Sequence, residues 1–250
     1  HGHSPGIVTG KPIALGGSQG RTAATGKGVS IVIDNYFRNN NRSLKGQRVS
    51  IQGFGNVGLH TAKSLKALGC KIIAVSDVSA TIIDNAGLEI DQLEKHIISG
   101  NLLDSYNGAK QGNRDDALIA DCDILIPAAI GGVINDKNWE SINASIIVEA
   151  ANAPISPYAD YQLTKNNVAI LPDILANAGG VIVSYFEWTQ NIQQHWWTIE
   201  EVDKELQKML TDACEACFMI QKEKNITLRQ SAYYIGVKKV VEALELRGFI

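Results

Sequence analysis

A doubly wound α/β fold is what this sequence predicts: a mostly parallel sheet with helices on both faces, followed by helices at the carboxyl end. Three observations carry that expectation. Residues 49–77 run through a short apolar segment, a glycine turn, a helical pattern and a second apolar segment. Apolar runs then recur at 122–127, 145–150 and 168–172, with a helical segment at 159–165. Their apolarity is nearly continuous rather than alternating, which is what strands covered on both faces need, as in a parallel sheet.

Taken in order, residues 8–21 are too rich in glycine for a regular element and read as a loop or a linker arriving from elsewhere. Thr22 can cap a helix over 23–38, whose apolar residues Val29, Ile31, Val32, Ile33 and Tyr36 suggest substantial burial. Gly26 and Gly28 weaken its first turns, so something must come close there, either a bound ligand or a packed helix. Asn39, Asn40 and Asn41 turn the chain, and 43–46 lead into the next strand.

That strand ends in Gly53-Phe54-Gly55-Asn56-Val57-Gly58, a G-x-G-x-x-G turn between a strand and a helix. Gly53 allows the tight turn, Gly55 lets the backbone approach a diphosphate, and Gly58 lets the helix pack close to the sheet. The diphosphate would rest on free N–H groups at the helix start, where the dipole favours negative charge. Asp77 closes the second strand nineteen positions after Gly58, where an acid accepts hydrogen bonds from an adenosine ribose. The unit is Rossmann-like and predicts a bound dinucleotide. A carboxylate at Asp77 repels a 2′-phosphate, which favours NAD over NADP.

Residues 78–88 read as a polar excursion with a turn at 84–87, residues 90–98 as an amphipathic helix ended by Gly100, and 101–116 as an irregular surface connection. Ligands in such sheets lie beyond the carboxyl ends of the strands, which places Ala128, Asn152 and Asp173 on the cleft rim. Asn177 can cap a helix opened by Gly179 and Gly180. Val181 and Ser184 then share a face and could hold a small polar substrate, or the serine could be satisfied within a core helix. The run His195-Trp196-Trp197 is better suited to packing on a partner or neighbouring domain than to stacking bases. Thr198 to Glu201 spell a capping-box start for a helix to 224, and Thr227 caps a last helix over 228–246.

The formal net charge is −3 with no basic block, so nucleic acid and anionic membranes are poor partners. No apolar run has the length of a membrane span, and 1–10 lacks the layout of a signal peptide. With four cysteines in 250 residues, a disulfide framework is not expected and the reading is cytoplasmic. Cys70 and Cys122 look like small core residues. Cys214 and Cys217 fall inside a helical pattern, as neighbours in a buried stripe rather than a redox pair or half a zinc site. No metal site is expected.

Several motifs occur together and in order: 8–12 (VTGKP), Gly16-Gly17-Ser18 with Gly20-Arg21, Ala24-Thr25-Gly26 with Gly28-Val29, the Gly53–Gly58 turn, and Asn177 to Val181 followed by Ser184-Tyr185-Phe186-Glu187-Trp188. Over nearly its whole length the chain resembles the cofactor-binding half of the hexameric glutamate dehydrogenases, within the glutamate/leucine/phenylalanine/valine dehydrogenase superfamily. The resemblance implies a single NAD-binding domain over 1–250, with 1–21 as the linker from an amino-terminal substrate domain, 22–190 as the Rossmann core and 191–250 as carboxyl-terminal helices.

It also implies roles. Thr25 would meet the nicotinamide carboxamide with Arg21 nearby. Gly53, Phe54, Gly55, Asn56, Val57 and Gly58 would lie along the diphosphate and Asp77 on the ribose. Ala128, Asn152 and Asn177 would line the nicotinamide side. Thr9, Val181 and Ser184 would lie at the side-chain end of glutamate or 2-oxoglutarate, Ser184 bonding its γ-carboxylate. The implied parent is a homo-hexamer that oxidatively deaminates L-glutamate. Rival readings are a non-catalytic nucleotide-sensing module and a leucine- or phenylalanine-type dehydrogenase. The sequence departs from the family at Glu149-Ala150-Ala151-Asn152, where E-G-A-N is common, and after Asp77, where a glycine-rich turn is usual. The family's catalytic lysine and proton-shuttling aspartate motifs are not among these residues, so no catalytic residue is expected here.

Overall fold

The computed structural model describes residues 4–249. Residues 1–3 and 250, the outer ends of the expected domain, lie outside the described residues. After the expected irregular opening come α1 (Ala24–Asn39), β1 (Arg48–Gln52), α2 (Asn56–Ala67) and β2 (Lys71–Ser76). Next are β3 (Thr81–Ile83), α3 (Ile90–Ile98), β4 (Lys110–Gly112), α4 (Asp116–Ile119) and β5 (Ile124–Pro127). Then follow β6 (Ile146–Val148), α5 (Pro157–Lys165), β7 (Ala169–Leu171) and α6 (Asp173–Ala176). Three longer helices complete the chain: α7 (Gly179–Gln193), α8 (Ile199–Lys224) and α9 (Leu228–Leu246).

Among the described residues the strands form one seven-stranded sheet in the order β4-β3-β2-β1-β5-β6-β7. The five strands from β2 to β7 in that order pair in parallel. β3 and β4 are antiparallel additions at one edge. The chain leaves β1 for β2 on one side and returns through β5 on the other. This reversal opens a crevice at the carboxyl ends of β1 and β5.

The core lies on both sides of the sheet, and the strands divide their side chains between them with period two. Ile124 and Ile126 of β5, with Ile146 and Val148 of β6, face a large core shared with α1, α2, α7 and α8. Leu125 and Ile147 point the other way, into a smaller core that includes Ala159 and Leu163 of α5. Each such aliphatic side chain taken wholly out of water stabilises by about 1.5–3 kcal/mol, so slipping a strand by one residue is strongly disfavoured.

Two segments are more ordered than expected. The excursion after β2 contains β3, and 101–116 contains β4 and the start of α4, not only loop. Both strands are three residues long; β4 is polar and largely exposed, while the Ile82-Ile83 pair of β3 is flanked by Thr81 and Asp84 in a largely polar stretch. The turn at 84–87 is as expected, with the Gly87 N–H donating to the Asp84 carbonyl.

Two expected caps are corrected. Thr22 does not cap α1, whose N-cap is Ala23 with no side-chain bond. Backbone turns lead into the helix instead, the N–H groups of Ala23 and Ala24 donating to the carbonyls of Gly20 and Arg21. Asn177 does not cap α7; it ends the short α6, and α6 feeds almost directly into α7 through Ala178 in helical geometry. The starts of α8 and α9 are as expected, each with a complete capping box, Thr198 with Glu201 and Thr227 with Gln230.

Gly26 and Gly28 serve helix packing. A Cβ on Gly26 would fall 2.6 Å from the Thr61 nitrogen of α2, and one on Gly28 would fall 3.0 Å from the Gly179 Cα of α7. All four cysteines are free and buried. Burial pushes the thiols of Cys70, Cys122 and Cys214 up to about 12 and raises Cys217 as well. Of the tryptophan pair, Trp197 packs inward with its ring centroid 5.1 Å from that of Phe186, while Trp196 stays exposed. Among the described residues no helix is long and apolar enough to cross a membrane.

Candidate functional site

The strand β1 delivers the chain to Gly53, whose φ of +98° belongs to the left-handed region that other residues avoid. A Cβ there would also meet the Ala129 nitrogen at 2.8 Å, so the turn lies flush against the end of β5. Gly58 lies one turn into α2, and a Cβ on it would overlap the Gly53 carbonyl oxygen. Gly55 differs from both, with open space around it. It is the N-cap of α2, and no side chain caps that helix. The first-turn N–H groups are therefore left to a ligand.

Gly53 and Gly55 open onto a cleft of about 840 Å³. Gln52, Phe54, Asn56 and Leu59 line its floor; Ala128, Ala129 and Ile130 form one wall, and Asp77 with Val78 another. The far wall, Ile97 to Leu102 with Arg114, comes from the end of α3 and from the connection expected to be mere surface. No local pattern in that connection points to a cleft. The Gln52 Oε1 is buried here without a hydrogen-bond partner, an acceptor left for a bound group.

Asp77 is heavily engaged by its own loop. Its Oδ1 accepts from the Ser79 N–H and hydroxyl and from the Ala80 N–H, and its Oδ2 accepts from the Leu103 N–H at 2.9 Å. Burial alone would raise this carboxyl, but those hydrogen bonds outweigh it and hold it below the ordinary value. Asp77 thus shapes the β2–β3 turn, and Oδ2, with one donor on it, has a lone pair free to accept another.

Along the rim, Asn152 and Asn177 meet: the Asn177 amide donates to the Asn152 Oδ1 at 2.8 Å and to the Ala150 carbonyl at 3.3 Å. Two residues beyond Asn177, α7 begins against α1. Here the Arg21 Nε donates to the Ser184 Oγ at 2.9 Å, and Ser184 in turn donates to the Gly180 carbonyl. Thr25 lies so close that a Cβ on Gly180 would be 2.5 Å from its Oγ1. Val181 is 68% exposed beside them. Asn56 ties this group to the glycine turn, its amide donating to the Thr22 carbonyl at 2.7 Å while its backbone opens α2.

Thr9 reaches the same helix through its neighbours. The N–H groups of Gly10 and Lys11 donate to the Glu187 carboxylate, and Lys11 Nζ pairs with it. Burial would raise Glu187, but Lys11 and the two backbone N–H groups together bring it below its ordinary value. Thus Asp77, Asn56 and Ala128 line the cleft, and Asn56 is joined through Thr22 to the Arg21–Ser184–Thr25 cluster. Asn152 pairs with Asn177, and Thr9 approaches α7 through Gly10 and Lys11. The Lys11–Glu187 anchor and the unpartnered Gln52 were not anticipated, since neither has a local signature. Among the described residues no cluster of His, Cys, Asp and Glu could hold a metal ion.

Residues 16–248 match the family model described as Glutamate/Leucine/Phenylalanine/Valine dehydrogenase. The chain belongs to this family. It is 43% identical over 247 residues to a NAD-specific glutamate dehydrogenase of Staphylococcus aureus (strain COL), a match covering 99% of this chain and 59% of the relative. Among solved structures it resembles a hetero-hexameric glutamate dehydrogenase from Thermus thermophilus, with a TM-score of 0.90 at 29% identity over 97% of this chain and 57% of that one. It also resembles the glutamate dehydrogenase of Peptoniphilus asaccharolyticus, with a TM-score of 0.86 at 33% identity over 98% and 58%. The chain thus spans somewhat under three-fifths of these family members.

Proposed function

We propose that this chain is the NAD-binding half of a glutamate dehydrogenase. The proposed reaction of the longer protein converts L-glutamate, water and oxidised coenzyme into 2-oxoglutarate, ammonium and reduced coenzyme. The observation that carries the reading is the contact, through Asn56 and Thr22, between two kinds of group: open peptide N–H groups at the uncapped start of α2, and the Arg21–Ser184–Thr25 cluster where α7 meets α1. The staphylococcal relative's NAD specificity supports NAD over NADP, as does the carboxylate of Asp77.

The residues fit such a coenzyme. The start of α2, with Gly53, Phe54, Gly55, Asn56, Val57 and Gly58, would hold the diphosphate, and the free lone pair of Asp77 would take a ribose hydroxyl. Thr25, Ala128, Asn152 and Asn177 would hold the nicotinamide end. The bound nicotinamide supplies the hydride acceptor. Arg21 and Ser184, with Thr9 and Val181, would form one wall of the substrate site. Arg21 offers positive charge and Ser184 a hydroxyl that can exchange its intrahelical bond to Gly180 for one to a carboxylate, at little net cost. A hydroxyl donor selects a carboxylate side chain over an aliphatic one.

We propose further that residues 1–21 link this unit to a substrate domain carrying the catalytic lysine and aspartate, that 22–190 are the Rossmann core and 191–250 the following helices. The assembled protein would be a cytoplasmic homo-hexamer. Calorimetric titration with NADH tests coenzyme binding. In the full-length protein, Ser184→Ala should lower kcat/KM for glutamate by about 100-fold or more. An unchanged value would point to an aliphatic substrate, and coenzyme binding without any turnover to a sensing module.

A further inference from the structure

Arg229, near the start of α9, is bound to three carboxylates from three elements. Its Nη2 donates to the Glu149 Oε1 at 2.8 Å and its Nε to the Asp160 Oδ2 at 2.7 Å; its Nη1 lies 3.5 Å from the Asp173 Oδ1. The Glu149 side chain is wholly buried, one residue past the end of β6. Burial pushes its carboxyl above the ordinary value, and the Arg229 hydrogen bond and charge act against that push.

From Glu149 the contacts run on toward the rim. The Glu149 Oε2 accepts from the Asp173 N–H at 2.8 Å, and the Asp173 Oδ2 accepts from the Ala153 N–H at 2.8 Å. Ala153 has φ +44°, a left-handed conformation unusual for a residue with a side chain. Such a conformation persists only where its surroundings over-determine it. Ala153 is held from the other side too, its carbonyl accepting from the Gly132 N–H at 2.9 Å. The turn so pinned is the one that carries Asn152 to the Asn177 amide.

We infer that Arg229 is a positioning residue for the nicotinamide end of the coenzyme site, acting through Glu149 and Asp173 to hold the strained Asn152–Ala153 turn. It touches no coenzyme itself. The inference rests on the reading that Asn152 and Asn177 line that end. It also gives α9, remote in sequence from the glycine turn, a part in the site. Lysine cannot replace the arginine fully, because an ammonium has no planar fork to serve three carboxylates at once.

The test compares NADH with ADP, which carries the adenosine and diphosphate but neither the second ribose nor the nicotinamide. Both are titrated against the full-length protein and its Arg229→Met and Arg229→Lys variants by calorimetry, with melting curves recorded alongside. Arg229→Met is expected to weaken NADH by about ten-fold or more and to leave ADP within about two-fold of wild type; Arg229→Lys should fall between, and stands alone if the methionine variant does not fold. Parallel loss of both ligands would mean that Arg229 merely supports the fold, and unchanged NADH affinity would mean that the turn holds without it. Either result overturns the inference. Wild-type protein that binds neither ligand would overturn the coenzyme reading, and this inference with it.

Discussion

Replacing Gly55 with alanine adds one methyl group where nothing else of the protein lies within 4 Å. Its backbone, at φ −80° and ψ −160°, suits any residue. Alanine is a poorer N-cap than glycine, at a cost of somewhat under about 1 kcal/mol. Removing a glycine also restricts the unfolded chain, which stabilises by about 0.4–1 kcal/mol. The two nearly cancel, so the melting temperature should move by no more than about 2 °C. Coenzyme affinity should respond very differently, because the methyl stands where a diphosphate must approach the first-turn N–H groups. A hydrogen bond to a charged group contributes about 1.5–3 kcal/mol, so losing even one weakens binding by roughly ten- to one-hundred-fold. Gly58→Ala is the contrast: its methyl would overlap the Gly53 carbonyl and crowd the Ile51 Cγ2 at 3.3 Å. Overpacking of this kind costs about 1–3 kcal/mol, or roughly 2–12 °C in a chain of this length. Thermal melts and NADH fluorescence titrations of both variants read the two effects separately. A Gly55→Ala protein that melts normally and binds NADH as tightly as wild type would refute the placement of the diphosphate at the start of α2.

Glu187→Gln should free the segment around Thr9, seen as faster hydrogen exchange at the Gly10 and Lys11 amides with α8 unchanged. Because the folded Glu187 carboxyl lies below its ordinary value, the clamp acts fully above the unfolded carboxylate range and is lost as pH falls through the folded value. The stability gap between wild type and variant should therefore begin to narrow as pH falls below the ordinary carboxylate range; a gap that does not change with pH across the acid range would deny the carboxylate its role. Native protein at pH 8 should label negligibly with a thiol reagent, since all four thiols are buried and at least three are pushed up to about 12, and should label at all four in denaturant. Rapid labelling of the folded chain would show that one of them is accessible. Thr227→Ala removes the capping box of α9 and should cost about 0.5–2 kcal/mol in urea unfolding, whereas no loss would mean that the start of α9 is held by its ion pairs alone.

What could be read from the sequence was what is encoded locally. The five parallel strands carry continuous apolar runs because both their faces are covered, and the capping boxes at Thr198 and Thr227 span four residues each. The glycine turn was legible for the same reason: its geometry is set within six residues. β3, β4, α4 and α6 were not, since each takes its stability from neighbours already in place. The Thr22 and Asn177 caps failed because backbone turns lead into α1 and the short helix α6 leads into α7, which composition does not reveal. Least visible were the bonds that unite the site. Arg229 meets Glu149 and Asp173 across 80 and 56 residues, and Lys11 meets Glu187 across 176. No window along the chain contains both ends of such pairs.

The even choice left open at Gly26 and Gly28, ligand or packing, turns out to join the two. Gly26 lets α1 touch α2 at the backbone, and Gly28 lets it touch α7 in the same way. α2 carries the open N–H groups, and α7 carries Ser184. Two contacts so close have little slack, since a backbone cannot give way as a long side chain does. The distance between the start of α2, where we place the diphosphate, and Ser184 on α7 is therefore set by the thickness of one helix bare of side chains at both contacts. Thr25 lies directly before the first of those two glycines, and Arg21 and Thr22 lie just ahead of the helix they open. Their bonds to Ser184 and Asn56 follow from that placement. The weak helix formers that made α1 doubtful as a helix are thus what make it a spacer, and its stability comes from the faces it buries rather than from its own propensity.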